Sequence, residues 1–394
     1  MPKLTLRELD LSGKRVFLRA DLNAPLDKGA VFDETRLTAV VPTIRHILGA
    51  GASLVVASHL GRPKGGPDPK YSLRPIAERL ASLLDRPLPL ASDCVGPETT
   101  ERAQALAPGE MLLLENLRFH PEEEANDHGF AKALGSLGEC YVNDAFAAAH
   151  RAHASIAAIT RYLQPAAAGL LMEAELEALG RILESPARPM AAVLGGAKVS
   201  DKLMLVENLL GRVDTLLVGG GMAYTFLRAL GHDVGRSLLE LDKVAMARGA
   251  LEAARRRGVQ IVLPVDAVVA ESVDSPAGRA VSVRQIPADK MGLDIGPRTV
   301  ERFATALKPA RTIVWNGPLG VFERSPFADG TLGVARAVAT AAAFSVIGGG
   351  DTVAAVRRAG VEAQIGYIST AGGAFLEFLE GRALPGVDAL TDRS

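Results

Sequence analysis

Ser345–Val356 reads SVIGGGDTVAAV: a short apolar run, three glycines, an acid, then the start of a helical pattern. A continuous apolar run, rather than an alternating one, marks a strand buried on both faces, the habit of parallel sheets. Glycines at such a strand end let a ligand come close to the backbone, and N–H groups freed at a helix start cradle phosphate oxygens. Asp351 stands where an anion would be repelled unless a cation lies between them.

The same rhythm of apolar strand, glycine or polar loop and amphipathic helix runs along the whole chain. Strands are expected in the first half at 15–22, 53–58, 87–92 (PLPLAS), 111–117 and 140–146, and in the second at 189–196, 215–221, 260–270 (QIVLPVDAVVA), 312–317 and 344–350. In SLRPIAERLASLL, residues Leu73, Ile76, Ala77, Leu80, Leu83 and Leu84 make one helical stripe. Ser200 is expected to cap a helix that Gly211 ends. Strand and helix alternate in two series, which predicts an α/β protein of two doubly wound, Rossmann-like parallel sheets. A long helix within 168–189 lies between the series. The boundary is placed inside it, giving domains over 1–172 and 173–380.

Composition narrows the function classes. The chain has 394 residues, 48% hydrophobic and 23% charged, with a net charge of −1. That length exceeds one ordinary core, and the near-zero charge argues against nucleic acid or an acidic membrane as partner. Two cysteines without metal or disulfide spacing suit a reducing compartment. No signal-peptide pattern or membrane-length apolar run is visible, so a cytoplasmic protein is expected.

Ligands of open α/β sheets bind beyond the carboxyl ends of the strands, and the unusual residues cluster there. First-half loops carry His59, Arg62, Arg118, His150, Arg151 and His153, with Arg36 in a nearby loop. Guanidinium forks grip carboxylate or phosphate in pairs, so their convergence suits a small, highly anionic ligand. Asp21 and Asn23 suit a hydroxyl on the same ligand. His150 and His153 lack a third metal ligand at fixed spacing, which favours a phosphate-facing or structural role. Second-half loops are glycine-rich with sparse lysines. Lys198 and Lys202 share a face if a helix has begun there, an arrangement suited to polyphosphate. Neither GxxxxGK[ST] nor a strand-to-helix GxGxxG occurs, which disfavours P-loop and dinucleotide folds. An anion pocket on one domain and a nucleotide-like pocket on the other, facing across a cleft, fit phosphoryl transfer.

Taken in order, RADLNAP, ASHLGRPKG, LENLRFHPEEE, NDAFAAAHRAHAS, LGGAKVSDK, LVGGGMA, WNGPLGVFE, GGGDTVAA and LPGVDAL resemble the phosphoglycerate kinase family over essentially the whole chain. The resemblance implies reversible transfer between 1,3-bisphosphoglycerate and Mg-ADP, giving 3-phosphoglycerate and Mg-ATP, in a glycolytic or carbon-fixing setting. It places 3-phosphoglycerate on the N-terminal domain, with Asp21 and Asn23 at its hydroxyl and carboxyl end. His59, Gly61, Arg62, Arg118 and Arg151 hold its remote phosphate, and Arg36 reaches the transferring group. On the C-terminal domain, Lys198 and Lys202 serve the nucleotide phosphates and the group in transfer, which makes them catalytic together with Arg36. Gly219, Gly220, Gly221, Gly292, Leu293, Asn316 and Pro318 line the nucleoside, and Glu323 meets the ribose. Asp351 holds Mg2+, beside Gly349, Gly350 and Thr352. Residues 381–394 are implied to pack back on the first domain, and a monomer with hinge-bending closure near 168–185 is implied.

Two positions depart from the family pattern. Ala371 in STAGGA replaces a usual glycine, and a backbone with negative φ is expected there. Val353 replaces a smaller residue and is expected to pack at a helix base. The competing readings are a kinase for another small anionic carboxylic acid, a non-catalytic two-domain binding protein, and a dinucleotide oxidoreductase.

Overall fold

A computed structural model describes residues 2–393. The chain divides into two compact units, one running to Glu177 and resuming at Ala383, the other spanning Ala178–Arg382.

The first unit contains β1 (Arg15–Ala20), a small hairpin of β2 (Leu26–Asp27) and β3 (Ala30–Val31), then β4 (Ser53–Ala57), β5 (Met111–Leu113), β6 (Cys140–Asp144) and β7 (Ala166–Ala168). Its main sheet has the order β5-β4-β1-β6-β7 with every pairing parallel. The order reverses between β1 and β6, and such a switch point opens a crevice at the strand ends. Leu18, Leu54 and Val56 meet Leu37, Ile44, Ile76 and Leu80 from the helices Thr35–Gly49 and Arg74–Leu84.

The second unit contains β8 (Met190–Leu194), β9 (Thr215–Val218), β10 (Gln260–Val262), β11 (Asp266–Ala270), β12 (Arg279–Ser282), β13 (Met291–Ile295), β14 (Thr312–Asn316), β15 (Phe344–Gly348) and β16 (Tyr367–Ile368). The parallel sheet runs β10-β9-β8-β14-β15-β16, with its switch point between β8 and β14. Trp315 is fully buried in its core beside Val193, Ile347 and Phe303, and its indole N–H donates to Gly317 O at 2.9 Å. The fold is thus α/β with two parallel sheets.

Several expectations need correction. The run 260–270 is two strands in two sheets, and β11 belongs to an antiparallel sheet of order β12-β11-β13. Pro264 lies at the break, where a residue without an N–H cannot extend a ladder. PLPLAS forms only one bridge, Leu90 to Leu113, for the same reason at Pro87 and Pro89. Ser200 does not cap the following helix. Its N–H and hydroxyl both go to Glu240, which also takes the N–H of Val199, so the helix begins only at Leu203 and ends before Gly211.

The division inside the helix Leu170–Leu183 falls after residue 177, not 172. Its first turn is fixed in the first unit: Leu171 and Met172 donate to Asp144 Oδ1 at 2.9 and 3.0 Å, and Arg7 pairs with Glu173 at 3.1 Å. The C-terminal segment joins that unit from 383 rather than 381. Gly386 donates to Ala149 O at 2.8 Å and Thr391 to Ala166 O at 2.9 Å.

Candidate functional site

In the first unit, Asp21 and Asn23 follow β1, His59, Gly61 and Arg62 follow β4, Arg118 follows β5, and Arg151 follows β6. Because the strands are parallel, these loops leave one edge of the sheet. Arg36 comes from the first turn of the helix Thr35–Gly49.

Beneath this edge lies Arg19, only 1% exposed at the switch point. Its guanidinium donates to Ser155 Oγ at 2.8 Å and Ala20 O at 2.5 Å, and Nη2 lies 3.2 Å from His59 Nδ1. A guanidinium only donates, so His59 Nδ1 accepts and Nε2 carries the ring proton. Burial pushes the His59 pKa well below its usual range, helped by the charges of Arg19, Arg118 and Arg36. Ser155 donates onward to Glu123 Oε1 at 2.6 Å, which brings a fully buried carboxylate to the arginine. His153 Nδ1 stands 3.8 Å from Glu123. Burial, then the neighbouring arginines, push its pKa down to about 3, giving it a structural place in this network.

The expected substrate residues are partly engaged with one another. Both oxygens of Asp21 accept from Arg36 Nη1, at 2.8 and 2.6 Å. Asn23 Oδ1 accepts from Gly61 N at 2.8 Å. Gly61 has φ +61°, and a Cβ there would lie 2.5 Å from the Tyr71 ring, so only glycine fits. Its carbonyl accepts from Arg118 Nη1 at 2.8 Å, and Arg118 Nε lies 3.1 Å from Glu124. Arg151 Nε donates to His150 Nε2 at 3.1 Å. Arg62 is exposed and makes no ion pair among the described residues. The structure therefore gathers Arg36, His59, Arg118 and Arg151 around Arg19, while Arg62 stands exposed in the loop after β4.

In the second unit, Lys202 occupies the switch point between β8 and β14. It is buried and donates to Asn316 O at 3.0 Å and Asn316 Oδ1 at 2.5 Å. Burial lowers its pKa to about 8, opposed by the carboxylates of Asp201 and Asp351. Asn316 Nδ2 donates to Gly348 O at 2.7 Å, so both ends of this amide are committed to positioning Lys202. Lys198 is exposed in the preceding loop. With no helix yet begun there, the two lysines do not share a helical face.

The opening stretch forms β15, a glycine turn and the helix Gly350–Arg358. Gly349 has φ +96°, and a Cβ there would sit 2.8 Å from Asn316 Nδ2. Asp351 is exposed in the first helical turn, while Thr352 is buried with its hydroxyl accepting from Gly317 N at 2.7 Å. Gly219 N and Gly220 N are spent internally on Leu194 O and Leu319 O, and Pro318 O accepts from Gly196 N. That glycine turn brings backbone close without offering those two amides. Gly292 lies against Tyr224, a buried tyrosine the sequence reading did not single out, and its N–H donates to Ser237 Oγ at 2.9 Å. Leu293 is buried beside it, and Glu323 is exposed without an ion pair among the described residues. Ala371 has φ −114°, in the extended region open to any residue, and Val353 packs against the core of the unit.

Besides Tyr224, Arg19 and Glu123 were missed. Both lie inside quoted motifs; Arg19 carried a signal, as a charge within the apolar strand run VFLRADL, whereas Glu123 stands among three consecutive glutamates and carried none.

Comparison with known proteins completes the picture. The family model described as phosphoglycerate kinase matches residues 6–382. The chain is 55% identical to the phosphoglycerate kinase of Moorella thermoacetica over 394 residues, covering all of both chains. It is 55% identical to that of Desulfosudis oleivorans, covering 98% of each. Among solved structures, the phosphoglycerate kinase of Coxiella burnetii aligns with a TM-score of 0.92 at 42% identity, covering 98% of each chain. That of Pyrococcus horikoshii aligns with a TM-score of 0.81 at 37% identity, again over 98% of each.

Proposed function

The chain belongs to the phosphoglycerate kinase family, an enzyme family that moves a phosphoryl group between 1,3-bisphosphoglycerate and ADP to give 3-phosphoglycerate and ATP, and from that premise we propose how its residues divide the work. The first unit binds the phosphoglycerate. Arg118, Arg151 and the Nε2 proton of His59 hold the remote phosphate, with Arg62 joining from the exposed loop. Asn23 meets the hydroxyl and carboxyl end, through the amide protons that Gly61 leaves free. Asp21 acts mainly through Arg36: it takes only Nη1, so Nε and Nη2 remain to meet the group in transfer. The second unit binds the nucleotide, with Lys202 and Lys198 at its phosphates. Gly219, Gly220, Gly292, Leu293 and Pro318 line the nucleoside and Glu323 meets the ribose.

The observation that carries this reading is the gathering of Arg36, His59, Arg118 and Arg151 at one sheet edge, over a buried Arg19 whose counter-charge lies below it. Such a site is positive without being acid–base active. That suits a reaction whose nucleophile, the carboxylate of 3-phosphoglycerate, is already ionised at neutral pH and needs no general base. Catalysis then rests on placement and on charge stabilisation. Arg36 and Lys202 supply the charge, Lys202 having one N–H left beyond the two given to Asn316.

Asp351 offers one exposed hard oxygen donor beside Lys202, a fit for Mg2+, which takes its other ligands from nucleotide phosphates and water. When bound, the ion neutralises phosphate charge. Gly349, Gly350 and Thr352 shape that turn. A cytoplasmic setting suits the two unpaired, buried cysteines. No helix among the described residues is long and apolar enough to cross a membrane. The chain acts as a monomer in this reading, which sedimentation equilibrium checks.

Calorimetric titration of both ligands tests the division. Arg118→Ala is expected to weaken 3-phosphoglycerate by at least about tenfold, the loss of a charge-assisted bond, with Mg-ADP within about twofold. Asp351→Ala is expected to do the reverse. Loss of the other ligand in either variant contradicts the assignment.

A further inference from the structure

A second cavity, of about 680 Å³, lies within the second unit and shares no residue with the sites above. Its walls come from the helices Met222–Ala229, Val244–Arg257 and Pro297–Leu307, with β10 and the chain leading to β11. Leu227, Leu251, Ile261, Leu263 and Val265 give it an apolar floor. Arg255, Arg284, Arg298 and Arg302 stand exposed around it, with His232 between buried and exposed. The lining holds neither Asp nor Glu. Glu252 and Glu301 lie on the same helices but outside it.

No acidic side chain lines this cavity, whereas some other arginines of the unit do meet carboxylates, as Arg188 meets Asp214 and Arg357 meets Glu362. Among the described residues the four around the cavity make no ion pair, on a chain whose net charge is only −1. Like charges gathered without counter-charges hold a positive potential, and a low-dielectric wall focuses it. The guanidinium fork matches phosphate and carboxylate. The floor offers apolar surface that gains by leaving water, and the volume falls in the range of small-molecule pockets.

We propose that this cavity binds a small amphiphilic anion, with a phosphate or carboxylate head on the arginine rim and an apolar body on the leucine floor. Neither half of the site explains such a ligand alone. A purely polar anion would leave the floor wet, and a neutral apolar one would leave four guanidiniums uncompensated.

The test is calorimetric titration with dodecyl phosphate below its micelle concentration, on the full chain saturated with 3-phosphoglycerate and Mg-ADP. Saturable binding at one equivalent is expected, at least about tenfold tighter than inorganic phosphate or the uncharged decyl maltoside, since each probe lacks one half of the contact. The double variant Arg284→Glu, Arg302→Glu is expected to weaken dodecyl phosphate at least about tenfold. Both positions are exposed, so an unchanged unfolding midpoint certifies the fold. Leu251→Gln is expected to weaken dodecyl phosphate while leaving inorganic phosphate unchanged. Absence of saturable binding, undiminished binding in the charge-reversed variant, or equal affinity for inorganic phosphate overturns the proposal.

Discussion

His59 and Lys202 are both basic residues taken out of water, and burial drives both toward their neutral forms. The consequences differ in sign and pH. His59 and His153 have folded pKa values below the ordinary 6.5, so the unfolded chain takes up protons that the folded one refuses. Their contribution to stability is intact above pH 6.5 and is lost progressively as pH falls below it. Nuclear magnetic resonance is expected to find the His59 ring neutral from pH 8 to pH 5, with its proton on Nε2. A ring titrating near 6.5 would contradict the Arg19 contact. Lys202, at about 8 against an ordinary 10.5, is charged at neutral pH and loses its hold on phosphate oxygens above pH 8. The kcat/KM for nucleotide is therefore expected to fall above about pH 8, and Lys202→Arg to remove that limb. Over the interval from 8 to 10.5 the unfolded state keeps the proton, so this residue's contribution to stability rises while activity falls. An unchanged limb in Lys202→Arg would assign it to another group. At this scale the sequence displayed the arginines, histidines and lysines, because charged residues at strand ends stand out. It did not display which of them touch. The Arg36 contact with Asp21, and the chain from His59 through Arg19 and Ser155 to Glu123, join residues far apart in sequence.

The elements were legible where periodicity and punctuation agreed. β1, β4, β8, β14 and β15 are apolar runs ended by glycine or polar residues, and each lies within an expected strand. Legibility failed where proline lay inside an apolar run, at PLPLAS and at Pro264, because hydrophobicity persists while the ladder stops. It failed again at Ser200, whose capping group a distant glutamate claims. The turn at Gly348–Gly350 is the element on which the nucleotide side depends, since Gly349 leaves room for the amide of Asn316 that positions Lys202. Gly349→Ala is expected to cost about 1–3 kcal/mol through positive φ. It is also expected to raise the KM for nucleotide, as the 2.8 Å approach to Asn316 pushes that amide aside. Thermal unfolding and steady-state kinetics check both, and a variant matching the parent in both would show that the turn tolerates a side chain.

For the whole molecule, the alternation of strand and helix announced the α/β architecture. The antiparallel sheet β12-β11-β13 was not foreseen, because β11 continues the apolar run of β10 past Pro264 and neither β12 nor β13 is a continuous apolar run. Family membership came from the order of many motifs, none of them decisive alone. The central claim is that the arginine and histidine cluster of the first unit selects its substrate by the remote phosphate. The most direct measurement is a coupled assay with ATP and Mg2+, comparing 3-phosphoglycerate with glycerate, which keeps the carboxylate and lacks that phosphate. Turnover is expected with 3-phosphoglycerate, and a kcat/KM at least about a hundredfold lower with glycerate, as two or more charge-assisted bonds are lost. Comparable kcat/KM for the two acids, or no turnover of 3-phosphoglycerate by the folded protein, would contradict the account.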